Sequence, residues 1–579
     1  MSSSIVLQDA IKTYTYDQDK IISPAKTVKW VKDKFKEINL DILKKTMRID
    51  SGRLGIPIFI SLCGTDALKT IGTKKQMGKG ATPAQSEASA LIELVERYSF
   101  FYLIKFGNFH VDTYQNVKDK AISFKSIALS VHDESDLKIA EQAFSDIPLS
   151  WVPAYSLTEN RETLIPIDWF YAINEFNGPA AGNTIEEAII QGICEVVERH
   201  VSALISHKKL LTPSIDVRSV KNPVALELMG KYLRTGVKLF IKDFSLDMGI
   251  PSVGVLVQDP KTFPHRSEIV FTAGTQTSPE KALIRSLTEV AQLAGDFDTD
   301  AKYVPSGLPK PSDLDEMYYV TTTDKIVNIS DLPDISHYNI KNEIERCVGA
   351  LSKMGLDVLV INTTHPVLQI PAVYIVIPGA YFRQRARAAS ICLFSAKLVS
   401  QFEDVTQAIM ALDRLRALYP DRYYIYFYLG LCHLRKEKYE RALKFFKKAL
   451  ELNPGEEDIP SIYCYMGICH KDMEDYEQAI AELEKAKAHD AQIKEIYNLL
   501  GFCYFKLKDH EKSIENFTKV VDMDPASAID YANIASNLRE MGNIKEAIRF
   551  YQLALEIDPG IDFARDNLER LQSLTFCSV

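Results

Sequence analysis

The sequence contains no Cys-x-x-Cys pair. Its nine cysteines are scattered, and the nearest two, Cys464 and Cys469, fall in a helical pattern. That spacing suggests neither a zinc ribbon nor a thioredoxin-like redox site, and it reads the thiols as small core residues of a reducing cytoplasmic compartment. Long hydrophobic runs are missing as well. The nearest candidate, residues 368–382, is interrupted by Pro371, Pro378 and Gly379, and it falls short of the roughly 18 apolar residues a membrane span needs. The opening residues show no basic stretch followed by an apolar one, so no export signal and no membrane contact are expected. Basic excess is absent too. Lys and Arg number 68 against 77 Asp and Glu, a net charge of −9, which argues against direct nucleic-acid binding. Finally, neither common phosphate loop is present. Gly78-Lys79-Gly80-Ala81-Thr82 is a fragment of GxxxxGK[ST] without its spacing, and no GxGxxG follows a strand. A nucleotide site here has to belong to another class.

What is present is an ordinary globular composition, 46% hydrophobic and 25% charged, over a length that accommodates several domains. The texture changes near residue 389. Before it, strand-like runs (FISLCG, GVLVQD, DVLVIN, AVYIVI) alternate with helical segments. After it the pattern is helical throughout, and Gly430, Gly467, Gly501 and Ala535 recur near a 34-residue period. One unit reads Tyr426, Leu429, Gly430, Ala442, Phe446, Ala449, Pro454; another reads Tyr497, Leu500, Gly501, Tyr504, Phe517, Val520, Pro525. Small residues mark close helix crossings, aromatics fill the space beside them, and proline ends each pair. This pattern resembles the tetratricopeptide repeat. Such an array holds a peptide or protein in its concave groove, or it serves as a scaffold or self-association surface. On the inner helices, Tyr428, His433, Asn498 and Asn533 are candidates to grip a peptide backbone.

The chemistry-bearing signal is a duplicated acidic helix. Ser89-Ala-Leu-Ile-Glu93-Leu-Val-Glu96-Arg97 is echoed by Gln191-Gly-Ile-Cys-Glu195-Val-Val-Glu198-Arg199. Gly80 and Thr82 precede the first at the same offset as Gly182 and Thr184 precede the second. Spacings of three and four place both carboxylates and the guanidinium on one helical face. Exposed Glu–Arg pairs are common on helices, but two copies in register suggest a shared cleft. Four carboxylates in one cleft repel one another, and a divalent cation relieves that; oxygen ligands favour magnesium, which in turn carries phosphates. A third helix sets Arg285, Glu289 and Gln292 on one face, either as an ordinary amphipathic surface or as the completion of a phosphate pocket.

The segments MGKGATPAQSEASALIELVER, FNGPAAGNTIEEAIIQGICEVVER and TSPEKALIRSLTEVAQ resemble the three signature segments of YcaO-domain proteins, and the stretch from Ile370-Pro371 to Pro378-Gly379 is similar to that family's last strand. The resemblance implies an ATP fold in which Glu93, Glu96, Glu195 and Glu198 ligate magnesium. Lys79, Ser89, Arg97, Asn183, Glu187, Gln191, Arg199, Arg285, Glu289 and Gln292 would line the nucleotide. It further implies ATP-dependent activation of a peptide backbone amide, with an azoline or a thioamide as product. Many azoline-forming members end in a proline-rich tail; here the last residues are SLTFCSV. Followed by repeats, the arrangement resembles the accessory factors for methylthiolation of a ribosomal protein. No residue is assigned as catalytic base or nucleophile.

The expected organisation is a lead-in segment over 1–55, an α+β YcaO ATP-utilising domain over 56–388, and an all-α repeat solenoid over 389–579. The expected cofactors are ATP and magnesium. The expected partners are a peptide or protein substrate and a protein held by the repeats, a sulfur-transfer or methylthiotransferase protein among the options; a homodimer stays open. The leading function is backbone-amide modification. The alternative is a non-catalytic adaptor whose ATP site gates assembly. Arg383, Arg385 and Arg387 read as a solvated linker face or an acidic-partner contact, and His200 as a marginal participant.

Overall fold

The computed structural model describes residues 5–50, 52–133, 135–297, 311–382 and 390–576. Arg383, Arg385 and Arg387 and the last three residues of the tail lie outside that set. The chain forms two compact units, Met1–Ile391 and Cys392–Val579. No described helix is long and apolar enough to cross a membrane.

The first unit is α+β. The apolar run Ser252–Gln258 is the strand around which much of it is organised. It pairs antiparallel with Val270–Thr275 on one side and Lys238–Asp243 on the other. Alternate side chains point to opposite faces, and both faces are covered. Val253, Val255 and Val257 share a core with Leu283, Leu287 and Val290 of the helix Pro279–Ala294. Leu256 joins the core of Val197 and Val201 on the helix Ile185–Lys208. A run buried on both faces has to be apolar throughout, which is why no alternation appears in GVLVQ. A second sheet places Leu359–Asn362 beside Ala372–Val376, which pairs in turn with Pro179–Ala181. A third, three-stranded sheet joins Leu43–Arg48, Ile58–Cys63 and Lys75–Lys79.

Two acidic helices run beneath these sheets, Pro83–Phe106 and Ile185–Lys208. Each is opened by the threonine that follows the repeated glycine. Thr82 Oγ1 accepts from the Gln85 amide and Thr184 Oγ1 from the Glu187 amide, both at 3.2 Å, so each threonine satisfies an amide that the helix start leaves unpaired. The first helix lies against strand Lys75–Lys79 so closely that a Cβ on Gly78 would stand 2.1 Å from Ala90 N. Its apolar back, Leu91, Leu94 and Val95, is shared with Val31 and Phe35 of the helix Pro24–Glu37. The amino-terminal residues thus belong to the core of the first unit.

The second unit consists of consecutive helical pairs, among them Tyr423–Arg435 with Tyr439–Glu451, Ile459–Asp472 with Tyr476–His489, Lys494–Lys506 with His510–Met523, and Ala528–Glu540 with Ile544–Ile557, followed by Asp562–Phe576. The small and aromatic positions meet as their pattern requires. A Cβ on Gly430 would stand 2.5 Å from the Phe446 ring, and one on Gly501 2.9 Å from the Phe517 ring. Two of the inner-helix candidates are already engaged. Asn498 Nδ2 donates to Asp530 Oδ1 at 2.6 Å and Asn533 Nδ2 to the same oxygen at 3.3 Å. Asn498 thereby ties its repeat to the next, while Asn533 bonds within its own helix Ala528–Glu540, and neither side chain stands open for a peptide. His433 is buried and stacked on Phe445.

Candidate functional site

A cavity of about 220 Å³ opens between the acidic helices. The first supplies Ser89, Glu93, Glu96 and Arg97 to its wall; the second supplies Glu187, Gln191, Glu195 and Arg199. The helix Pro279–Ala294 adds Arg285, Glu289 and Gln292, the strand Lys75–Lys79 adds Lys79, and the turn before the second helix adds Asn183. These residues are drawn together because both acidic helices present one polar face inward while their other faces sit in separate hydrophobic cores.

The charges are arranged in pairs. Arg97 reaches Glu93 at 3.6 Å and Glu96 at 3.5 Å. Arg199 reaches Glu195 at 3.7 Å and Glu198 at 3.9 Å. Arg285 Nε donates to Glu198 Oε2 at 2.7 Å, and the Thr275 amide donates to the same oxygen at 3.2 Å. Lys79 pairs with Glu289. Glu198 is therefore turned into the wall, while Glu93, Glu96 and Glu195 border the space. Its other oxygen, Oε1, is buried and has no hydrogen-bond partner, as does Arg199 Nε.

This pairing sets the ionisation of each group. Burial raises Glu96 well above the usual carboxylate range, and Glu93 and Glu195 add to it while Arg97 opposes. Burial raises Glu195 as well, with Arg199 and Arg97 opposing. Glu198 is equally buried, yet Arg285, Arg199 and Lys79 hold it below the ordinary value. Burial and the neighbouring Arg285 push the Lys79 ammonium down to about 7. Burial thus drives Glu96 and Glu195 toward the neutral form although each has an arginine beside it, and Glu198 keeps one buried oxygen without a hydrogen bond. Among the described residues no three His, Cys, Asp or Glu side chains form a ready-made metal cage. An all-oxygen donor set suits magnesium, which takes a few protein carboxylates and completes its octahedron with phosphates and water.

Part of the wall was invisible to motif reading. Gln18, Lys20 and Thr27 of the amino-terminal segment and Gln85 of the first helix also line the cavity. Glu187 is what holds that segment. Its Oε1 accepts from the Ile21 amide at 2.7 Å, its Oε2 accepts from the Asn183 amide and side chain at 3.0 and 2.7 Å, and Lys20 Nζ lies 3.8 Å away. Thr27 Oγ1 then donates to Asn183 Oδ1 at 2.9 Å. From the far side, Lys281 Nζ donates to the Thr15 and Tyr16 carbonyls. No spacing rule links residues 15–27 to residue 187 or 281. The lysine in a short polar stretch ahead of a proline-started helix was the only trace. His200 does not line the cavity. Its Nδ1 accepts from the Tyr381 amide at 3.0 Å, and burial pushes it down to about 4.

Residues 77–381, more than half of the chain, match the family described as YcaO cyclodehydratase, ATP- and Mg2+-binding. Residues 491–560 match the tetratricopeptide repeat, and residues 403–486 match anaphase-promoting complex subunit 3. An uncharacterized protein of Methanothermobacter thermautotrophicus is 26% identical over 378 residues, covering 62% of this chain and 94% of that protein. The ribosomal protein S12 methylthiotransferase accessory factor YcaO of Escherichia coli is 26% identical over 255 residues, covering 40% of this chain and 42% of that protein. Among solved structures, a heterocyclase in complex with substrate and cofactor aligns with a TM-score of 0.53 at 24% identity, covering 65% of this chain and 54% of that one. The YcaO protein of Methanopyrus kandleri, bound with AMPPCP and Mg2+, aligns with a TM-score of 0.51 at 20% identity, covering 66% and 98%. At those identities the structural likeness speaks for the fold.

Proposed function

Since this chain belongs to the YcaO family, we propose that it binds ATP with magnesium in the cavity between its acidic helices and uses them to modify a peptide or protein backbone amide. The observation that carries the reading is the convergence on one cavity of two helices, each bearing Glu-x-x-Glu-Arg behind a threonine cap. In this reading Glu93, Glu96 and Glu195, which border the cavity, would hold the magnesium, and Glu198, turned into the wall against Arg285, would offer it only its Oε1. Lys79, Arg97, Arg199 and Arg285 face the phosphates and oppose charge that grows during transfer. Ser89, Gln191 and Gln292 offer hydrogen bonds to the nucleotide, and Glu289 holds Lys79 in place. Glu187 keeps Asn183 and the amino-terminal wall in position. Bound ATP supplies the phosphoryl group that makes the amide oxygen a leaving group, so that a thiol, hydroxyl or sulfide can replace it to give an azoline or a thioamide. The walls Lys20, Thr27 and Asn183 limit the water that would otherwise compete.

The repeats recruit the substrate or a partner enzyme, a sulfur-transfer or methylthiotransferase protein being the class in view. The described cysteines form no disulfide with one another, in keeping with a cytoplasmic setting. The adaptor reading draws on the similarity to the Escherichia coli accessory factor and on the array itself. Recovery of proteins and peptides bound to the tagged chain, followed by incubation with ATP and mass analysis, separates the two. The enzyme reading expects substrate-stimulated phosphate release together with loss of water or exchange of one oxygen for sulfur in the recovered peptide. ATP binding with neither change supports the adaptor.

A further inference from the structure

Between the acidic helices lies a turn for which the proposed chemistry has no use. The Asn177 amide donates to the Asn174 carbonyl at 3.0 Å, and Asn177 Nδ2 donates to the same oxygen at 2.8 Å. These bonds close a four-residue turn at the end of the helix Ile167–Asn174. Its first corner is Glu175, with φ 52° and ψ −118°. That is the corner of a type II′ turn, which glycine ordinarily supplies. A side chain there is strained, and such strain persists only where the surroundings fix it. On one side Asn174 is buried. On the other, Gly178 has φ 100° and approaches Ile375 O so closely that a Cβ would stand 2.3 Å from it.

The turn carries Phe176 to Arg97, which lines the cavity. The Phe176 carbonyl accepts from Arg97 Nη1 at 2.9 Å, and its ring centroid lies 5.0 Å from the Arg97 guanidinium carbon. The ring is otherwise open, with Phe176 47% exposed. Arg97 is thus gripped from outside by a carbonyl and an aromatic face, and from inside by Glu93 and Glu96. The inner grip is the one that a magnesium ion claims. Once Glu93 and Glu96 turn to a metal, a long flexible side chain loses its anchors on that side and gains freedom to swing into water.

We propose that Phe176 is a positioning residue of this site: through its ring and carbonyl it holds Arg97 in the cavity wall, aimed at the nucleotide phosphates while the carboxylates serve the metal. The inference rests on the nucleotide reading above. The strained Glu175 corner is the device that sets the ring over the guanidinium, and the gain is a cation that does not have to be reordered when the ligand arrives.

The test is calorimetric titration of the full chain with AMPPCP and magnesium, alongside thermal melting. The parent binds. Phe176→Ala weakens binding about 3- to 30-fold with the melting temperature little changed. Phe176→Leu, which keeps bulk but not the aromatic face, is weakened similarly, and Phe176→Trp retains the parent's affinity. If Phe176→Leu binds as tightly as the parent, or if all three variants lose affinity in step with their melting temperatures, the ring only packs the turn and the proposal is wrong. A parent that does not bind AMPPCP at all removes the nucleotide reading itself.

Discussion

Arg285 Nε stands 2.7 Å from Glu198 Oε2, and this ion pair joins the helix Pro279–Ala294 to the second acidic helix across the back of the cavity. Both side chains are buried. The pair keeps Glu198 ionised where its neighbours Glu96 and Glu195 are driven toward the neutral form by burial. Removing the cation while leaving the anion is the costly way to break such a pair. Arg285→Met should therefore destabilise the first unit by about 3 kcal/mol. Urea unfolding followed by tryptophan fluorescence would show it as a lower midpoint; an unchanged midpoint would mean that Arg199 alone suffices for Glu198.

The close approach of strand and helix at Gly78 is equally checkable. A Cβ there would stand 2.1 Å from Ala90 N and 2.4 Å from Ser86 O, both backbone atoms that do not move aside. Gly78→Ala should cost about 3 kcal/mol and displace the start of the first acidic helix, with loss of nucleotide binding. Soluble, parent-like protein with normal binding would contradict the packing described.

Acid should weaken the first unit partly through His365. Its ring lies 5.0 Å from that of Tyr98 and 4.2 Å from that of Tyr102, and Nδ1 accepts from the Val367 and Leu368 amides at 3.2 Å. Burial pushes it down to about 4. The unfolded chain takes up this proton near about pH 6.5, so the folded form is favoured above that pH, and the advantage is lost as pH falls through the window toward 4. His365→Gln should narrow the drop in melting temperature between about pH 7.5 and about pH 5 by about 2 °C or more. An identical drop in parent and variant would assign the acid response elsewhere, His200 being the next group with the same sign.

Within the repeats, Asp530 is buried and accepts from Asn498, Asn533 and Ser527. Asn498→Ala leaves that carboxylate short of a donor, at a cost of about 1–3 kcal/mol. The second unit should melt earlier. A variant with unchanged melting but weaker capture of a protein partner would return Asn498 to the groove.

How much of this was legible beforehand follows the range of each interaction. Glu93, Glu96 and Arg97 share a face by local spacing, and the threonine caps repeat at a fixed offset, so the two acidic helices and their Glu-x-x-Glu-Arg faces were readable from the chain, while Lys79, Ser89, Asn183, Glu187 and Gln191 came only with the family resemblance. The repeat positions around Gly430 and Gly501 were readable for the same reason. The wall built by Lys20 and Thr27 was not, since it depends on Glu187 and Asn183, more than 150 residues away. Nor was the rotation of Glu198 into the wall, which depends on Arg285 from a helix in a different sequence segment. Spacing identifies the inner face of a helix for Asn498 and Asn533, but not the buried Asp530, which the next repeat brings to Asn498 and which sits one turn before Asn533 on its own helix.

ATP binding in this cavity should depend on magnesium. Calorimetric titration of the full chain with ATP, first with magnesium and then with a chelator in excess, asks that directly, with Glu195→Gln as the matched variant. The structure predicts saturable binding at one site per chain, dependent on magnesium and weakened about 100-fold or more in a Glu195→Gln protein that is otherwise folded. Equal affinity with and without magnesium, or an unimpaired variant, would contradict the placement of the metal between the two acidic helices.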